Sequence, residues 1–95
     1  MRVRFFATIR DYTGCAEEDI PYQETAGALA RSLCNRYGSK LKEKIFPGGN
    51  PKGNEEFGPE IIFLINGRHV NHLGGTNAPL KPDDKVDIFP VVAGG

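Results

Sequence analysis

Ninety-five residues make one small domain with room for a single core, so residues 1–95 read as one unit. Lys+Arg and Asp+Glu balance at 12 each, and this balance creates no overall field toward nucleic acid or an anionic membrane. No apolar run approaches the roughly 20 residues of a membrane span, and no signal-like apolar core follows the N-terminus, so the cytoplasm is the expected compartment.

In chain order, Arg2 to Ile9 reads as a strand, with Val3, Phe5, Ala7 and Ile9 on one face and Arg2, Arg4, Phe6 and Thr8 on the other. Asp11 to Gly14 supplies turn chemistry. A more polar strand follows over Glu18–Tyr22, where Pro21 suits a sheet edge. Thr25 then caps a helix from Ala26 to Tyr37, whose Leu29, Leu33 and Tyr37 recur at helical spacing, and Gly38 ends it. Ser39 is expected to cap a short second helix through Ile45, with Leu41 and Ile45 facing inward. The stretch 46–59 carries Pro47, Gly48, Gly49, Pro51, Gly53 and Gly58 and reads as a long flexible surface loop.

Glu60 to Ile65 is the most hydrophobic stretch and reads as a central strand. Asn66-Gly67 is a type I′ hairpin signal, returning through Arg68-His69-Val70. After a polar connection, Lys85 begins the last strand, with Val86 and Ile88 inward and Asp87 and Phe89 outward. The composite order is strand, strand, helix, strand, short strand, strand. It implies an α+β domain with one main helix and a short second one on a mixed sheet of about five strands, the order of a β-grasp fold.

Few residues offer chemistry of their own. Cys15 and Cys34 stand 19 apart with no partner spacing for a metal or a redox pair, and read as two free thiols. His69 and His72 have no carboxylate or thiol beside them in sequence, so no metal is expected. There is no nucleotide-binding glycine motif and no evident nucleophile–base pair. The informative feature is Gly94-Gly95 after the last strand. It is a slim stem without Cβ atoms, able to carry a carboxylate into a narrow channel.

Three stretches together resemble the MoaD/ThiS family of ubiquitin-like sulfur carriers, most closely molybdopterin synthase small subunits. They are Val3-Arg4-Phe5-Phe6-Ala7-Thr8-Ile9-Arg10-Asp11-Tyr12-Thr13-Gly14, then Ile65-Asn66-Gly67-Arg68, then Leu80 through Phe89-Pro90-Val91-Val92-Ala93-Gly94-Gly95. The chain departs from many small subunits at Val91, where they carry a second proline, and in the length of the 46–59 loop.

The resemblance implies a carrier that is not catalytic alone and binds no cofactor itself. An E1-like enzyme would use ATP to adenylate Gly95, and a sulfur donor would convert it to a thiocarboxylate. The tail, 93–95, would then enter the large catalytic subunit of molybdopterin synthase and give sulfur to a pterin precursor. Phe6 and Phe89, outward on neighbouring strands, would dock the partner together with His69, Pro90, Val91, Val92 and Ala93. Arg10, Arg68 and Lys85 are candidates to pair with acidic groups there. Three other fates remain open: conjugation of Gly95 to lysines, sulfur supply to thiamin or tRNA, and a binding module with an inert tail. A β-grasp ferredoxin is excluded, because two cysteines cannot ligate an iron–sulfur cluster.

Overall fold

A computed structural model describes residues 1–47 and 56–91. Five strands form one sheet: β1 (Arg2–Phe5), β2 (Glu17–Asp19), β3 (Ile61–Ile65), β4 (Arg68–His69) and β5 (Lys85–Pro90). Their spatial order is β2-β1-β5-β3-β4, with β1 parallel to β5 and the other pairs antiparallel. Three helices, α1 (Ile9–Thr13), α2 (Ala26–Tyr37) and α3 (Ser39–Ile45), complete a β-grasp, ubiquitin-like fold.

The alternation read from the sequence sets the two faces of the sheet. Val3 and Phe5 of β1, Phe63 of β3, and Val86 and Ile88 of β5 are buried to within 1%. They meet Leu29, Ala30 and Leu33 of α2 and Leu41 and Ile45 of α3, all with no exposed surface. Each large side chain so buried stabilises by about 1.5–3 kcal/mol, which makes this layer the main source of cohesion. The main helix has the predicted bounds because both ends are specified locally. The Thr25 hydroxyl accepts from the Ala28 amide at 3.1 Å, and Gly38 takes φ +101° at the far end. The Asn66-Gly67 turn is also as expected, with φ of +51° and +83°.

Four local expectations are corrected. The first strand ends at Phe5, because Ala7 adopts φ +51° and turns the chain into α1, where the turn at Asp11–Gly14 was expected. Ile9 is still buried, but from a helix. Second, the N-cap of α3 is Gly38, and Ser39 is its first helical residue. Third, the run 46–59, of which 48–55 lie outside the described residues, is anchored rather than exposed at Phe46 and Phe57. Phe57 stacks between Phe46 and Phe63, with ring centroids at 5.8 and 4.4 Å, and Phe46 is buried. Fourth, β4 stops at His69, and a 3-10 turn over Val70–His72 buries Val70. The most hydrophobic strand, β3, is interior as expected, between β5 and β4. The polar second strand does lie at the sheet edge, and Pro21 falls beyond its end.

Candidate functional site

The last strand delivers the chain to a defined point on the outward face of the sheet. Val91, 47% exposed, is its last described residue, and its amide donates to the Glu60 carbonyl at 2.9 Å. Val92, Ala93, Gly94 and Gly95 lie outside the described residues. In an antiparallel ladder, backbone groups alternate in direction. The Val91 bond therefore puts the amides of Phe89 and Val91 toward β3 and those of Ile88 and Pro90 toward β1. Phe6 N–H donates to the Ile88 carbonyl at 3.0 Å, consistent with that alternation. The β1 pairing ends at Phe5, opposite Ile88, so Pro90 lacks its N–H where no strand needs one.

Beside this exit, Phe6 and Phe89 lie together as expected. Their rings stack with centroids 4.2 Å apart and planes 8° apart, each ring half-buried. Phe6 reaches this position because it follows β1 directly and precedes the left-handed Ala7. Two guanidinium groups hold its ring, with Arg4 and Arg10 at 5.5 and 6.0 Å from the centroid. Arg4 is fixed in turn by paired bonds of 2.7 and 2.9 Å to the Asp87 carboxylate, and Arg10 Nε donates to the Phe5 carbonyl at 2.9 Å. The Asp87 bond and charge push the Arg4 guanidinium still further above its ordinary pKa.

Cross-strand register extends the aromatic pair into a strip. Ile62 stands opposite Phe89, and Leu64 stands opposite Asp87 on one side and His69 on the other. Ile62, Leu64 and His69 are all half-buried on this face. The sequence reading did not single out Ile62 or Leu64, because an uninterrupted apolar run does not announce which members face outward. The strict alternation of β3 was the available signal.

His69 sits at the far edge of the strip. Its Nδ1 accepts from the Asn71 amide at 3.1 Å, which leaves Nε2 to point elsewhere. A cleft of about 280 Å³ beside it is lined by Phe57, Pro59, Ile62, His69 and Val91, among others, and connects the strip to the strand exit. His69 and His72 approach edge-on at 6.1 Å. Among the described residues, no three His, Cys, Asp or Glu side chains are grouped to hold a metal. Of the candidate cations, Arg10 belongs to the aromatic pair, while Arg68 and Lys85 are exposed on β4 and β5, the two strands that flank β3.

The two thiols are separate from this face. Cys15 Sγ lies 3.7 Å from the Tyr37 hydroxyl, and Cys34 is buried on α2, where loss of solvent pushes its thiol up to about 11. Among its described residues, the outward face is suited to recognition. It offers an apolar and aromatic strip at the root of the chain's final residues.

The model of the ThiS family matches residues 3–95. Small archaeal modifier protein 3 of Haloferax volcanii is 35% identical over all of this chain and 98% of its own. The solution structure of small archaeal modifier protein 1 from Methanosarcina acetivorans superposes with a TM-score of 0.84 at 34% identity, over 99% of this chain and 94% of that one. A Pyrococcus furiosus protein assigned as molybdopterin converting factor, subunit 1, superposes with a TM-score of 0.72 at 29% identity, over 96% and 95% of the two chains. With the family match reaching from the first strand to Gly95 and the β-grasp sheet in place, this chain belongs to the ThiS family of ubiquitin-like sulfur carriers.

Proposed function

We propose that this protein carries sulfur as a thiocarboxylate on Gly95 for the synthesis of molybdopterin, the pterin that holds molybdenum or tungsten. The Gly95 carboxylate would attack the α-phosphorus of ATP on an E1-like partner and release pyrophosphate. A donor supplying sulfur at the sulfide level then displaces AMP and leaves the thiocarboxylate. That sulfur is ionised near neutral pH and nucleophilic, so it can be delivered to the pterin precursor inside a large catalytic subunit. This chain supplies reach and docking, and its partners supply the catalysis.

The observation that carries this reading is the position of the strand exit. Pro90 and Val91 leave the sheet beside the Phe6–Phe89–Ile62 strip, which supports a partner that binds the strip and receives the residues that follow. The Pyrococcus furiosus relative supports molybdopterin as the destination. Cytoplasmic location follows from the same reading, and no described helix is long and apolar enough to cross a membrane.

The test is reconstitution with the activating enzyme, a sulfur donor and the large subunit. Deleting Gly95, or adding one residue after it, is expected to abolish sulfur transfer while circular dichroism stays unchanged. Full transfer by either variant would overturn the proposal. A second reading, conjugation of Gly95 to lysines of other proteins, is favoured by the 35% identity to an archaeal modifier. Branched peptides ending in Gly-Gly on lysine would distinguish it.

A further inference from the structure

The balanced total of 12 cations and 12 acids conceals a separation by layer. Residues 26–45, which form α2 and α3, hold five cations (Arg31, Arg36, Lys40, Lys42 and Lys44) and one acid, Glu43, for a net charge of +4. The rest of the chain therefore carries −4. Two of the five are neutralised by acids outside the helices: Arg36 meets Glu18 at 3.7 Å and Lys44 meets Glu60 at 2.9 Å. Among the described residues, Arg31, Lys40 and Lys42 make no ion pair.

These charges border a cleft at the α2–α3 junction. It measures about 370 Å³ and is lined by Arg31, Cys34, Asn35, Gly38, Ser39 and Lys42. We propose that this cleft and the surrounding helical face dock an acidic segment of a partner protein, on the side of the sheet opposite the Phe6–Phe89 strip. Asn35 and Ser39 add neutral donors between the cations, and the nearly buried Cys34 forms the floor.

The spacing of the charges favours an extended chain of carboxylates over one compact anion. Arg31 runs back along α2, with its Nη1 3.5 Å from where a Cβ on Gly27 would stand, while Lys42 comes from the other helix. Nucleic acid fits less well. The aromatic ring α2 contributes, Tyr37, is held edge-on to Phe5 at 5.6 Å, so it offers no stacking platform for bases. The inference goes beyond sulfur carriage and does not depend on where Gly95 delivers its sulfur. It allows an activating or accepting partner on the strip and a second protein on the helices at the same time.

The test uses the isotope-labelled full chain and an oligoglutamate peptide as probe, followed by amide chemical shifts at low and moderate salt. Shifts are expected at Arg31, Cys34, Asn35, Ser39 and Lys42 but not along Ile62, Leu64 and Phe89. Affinity should fall by about tenfold between roughly 50 and 300 mM salt, since exposed charges are screened over that range. Lys42→Glu should weaken binding by about tenfold, the scale of an interface pair that carries energy. Lys81→Glu, an equal change of charge in a loop outside the helical layer, should leave binding intact. If Lys42→Glu unfolds the chain, the exposed Lys40→Glu serves in its place. The proposal fails if the peptide does not bind, if Lys81→Glu weakens it equally, if the shifts centre on the strip, or if oligothymidylate of equal charge binds more tightly.

Discussion

Ala7 shows how a single residue sets the position of the aromatic strip. With φ +51° it holds a conformation that costs an L-residue about 1–2 kcal/mol, and the return is Phe6 laid flat on Phe89. A β-branched side chain tolerates that conformation worse than Ala, so Ala7→Val should lower stability by about 1–2 kcal/mol in urea titrations. The stacked pair itself contributes about 0.5–1.5 kcal/mol beyond burial. If the proposed function holds, Phe89→Ala or Phe6→Glu should weaken binding of the large subunit by tenfold or more, with only a modest loss of stability. Global unfolding of either variant would instead assign the rings to the core.

Cys34 makes a residue-scale prediction of a different kind. Burial raises its thiol to about 11, against an ordinary value near 9. Because the folded value is the higher one, the neutral thiol's contribution to stability is complete below pH 9 and is lost as pH rises through 11. At pH 8 an alkylating reagent should modify Cys15 well before Cys34, followed by peptide mass analysis. Equal rates would contradict the buried placement.

At the scale of elements, α2 is the part whose limits were most legible in the sequence. Thr25 and Gly38 specify its ends through their own chemistry, and the apolar spacing between them has only one helical solution. Thr25→Ala should cost about 1 kcal/mol of stability, because the Ala28 amide loses its acceptor. Gly27 adds a constraint that periodicity does not reveal: a Cβ there would stand 2.9 Å from the Thr76 carbonyl oxygen. Gly27→Ala should destabilise by about 1–3 kcal/mol by forcing α2 away from the 74–78 turn, despite the better helix propensity of alanine. The end of β1 was hidden for the converse reason. Apolar residues at Ala7 and Ile9 continue the strand period, and neither Gly nor Pro marks the break after Phe5. The outward strip was half legible. Phe6 and Phe89 follow from alternation on neighbouring strands, but Ile62 and Leu64 disappear into an apolar run.

For the whole molecule, the proposed function gives the sheet, helices and strip the task of presenting the end of the chain, and gives the chemistry to the final glycines. The order of elements and the Phe89-Pro90 ending made both the fold and the family readable from sequence. The segregation of charge was not readable from its balanced total, because cations on α2 and α3 become one face only after packing. Sulfur carriage is tested most directly by the intact mass of the protein taken from its native cell, followed by fragmentation of its last residues. The prediction is an oxygen-to-sulfur exchange localised to Gly95, lost when the activating enzyme is deleted. A Gly95 found always as an ordinary carboxylate, or only in amide linkage to lysine, would contradict it.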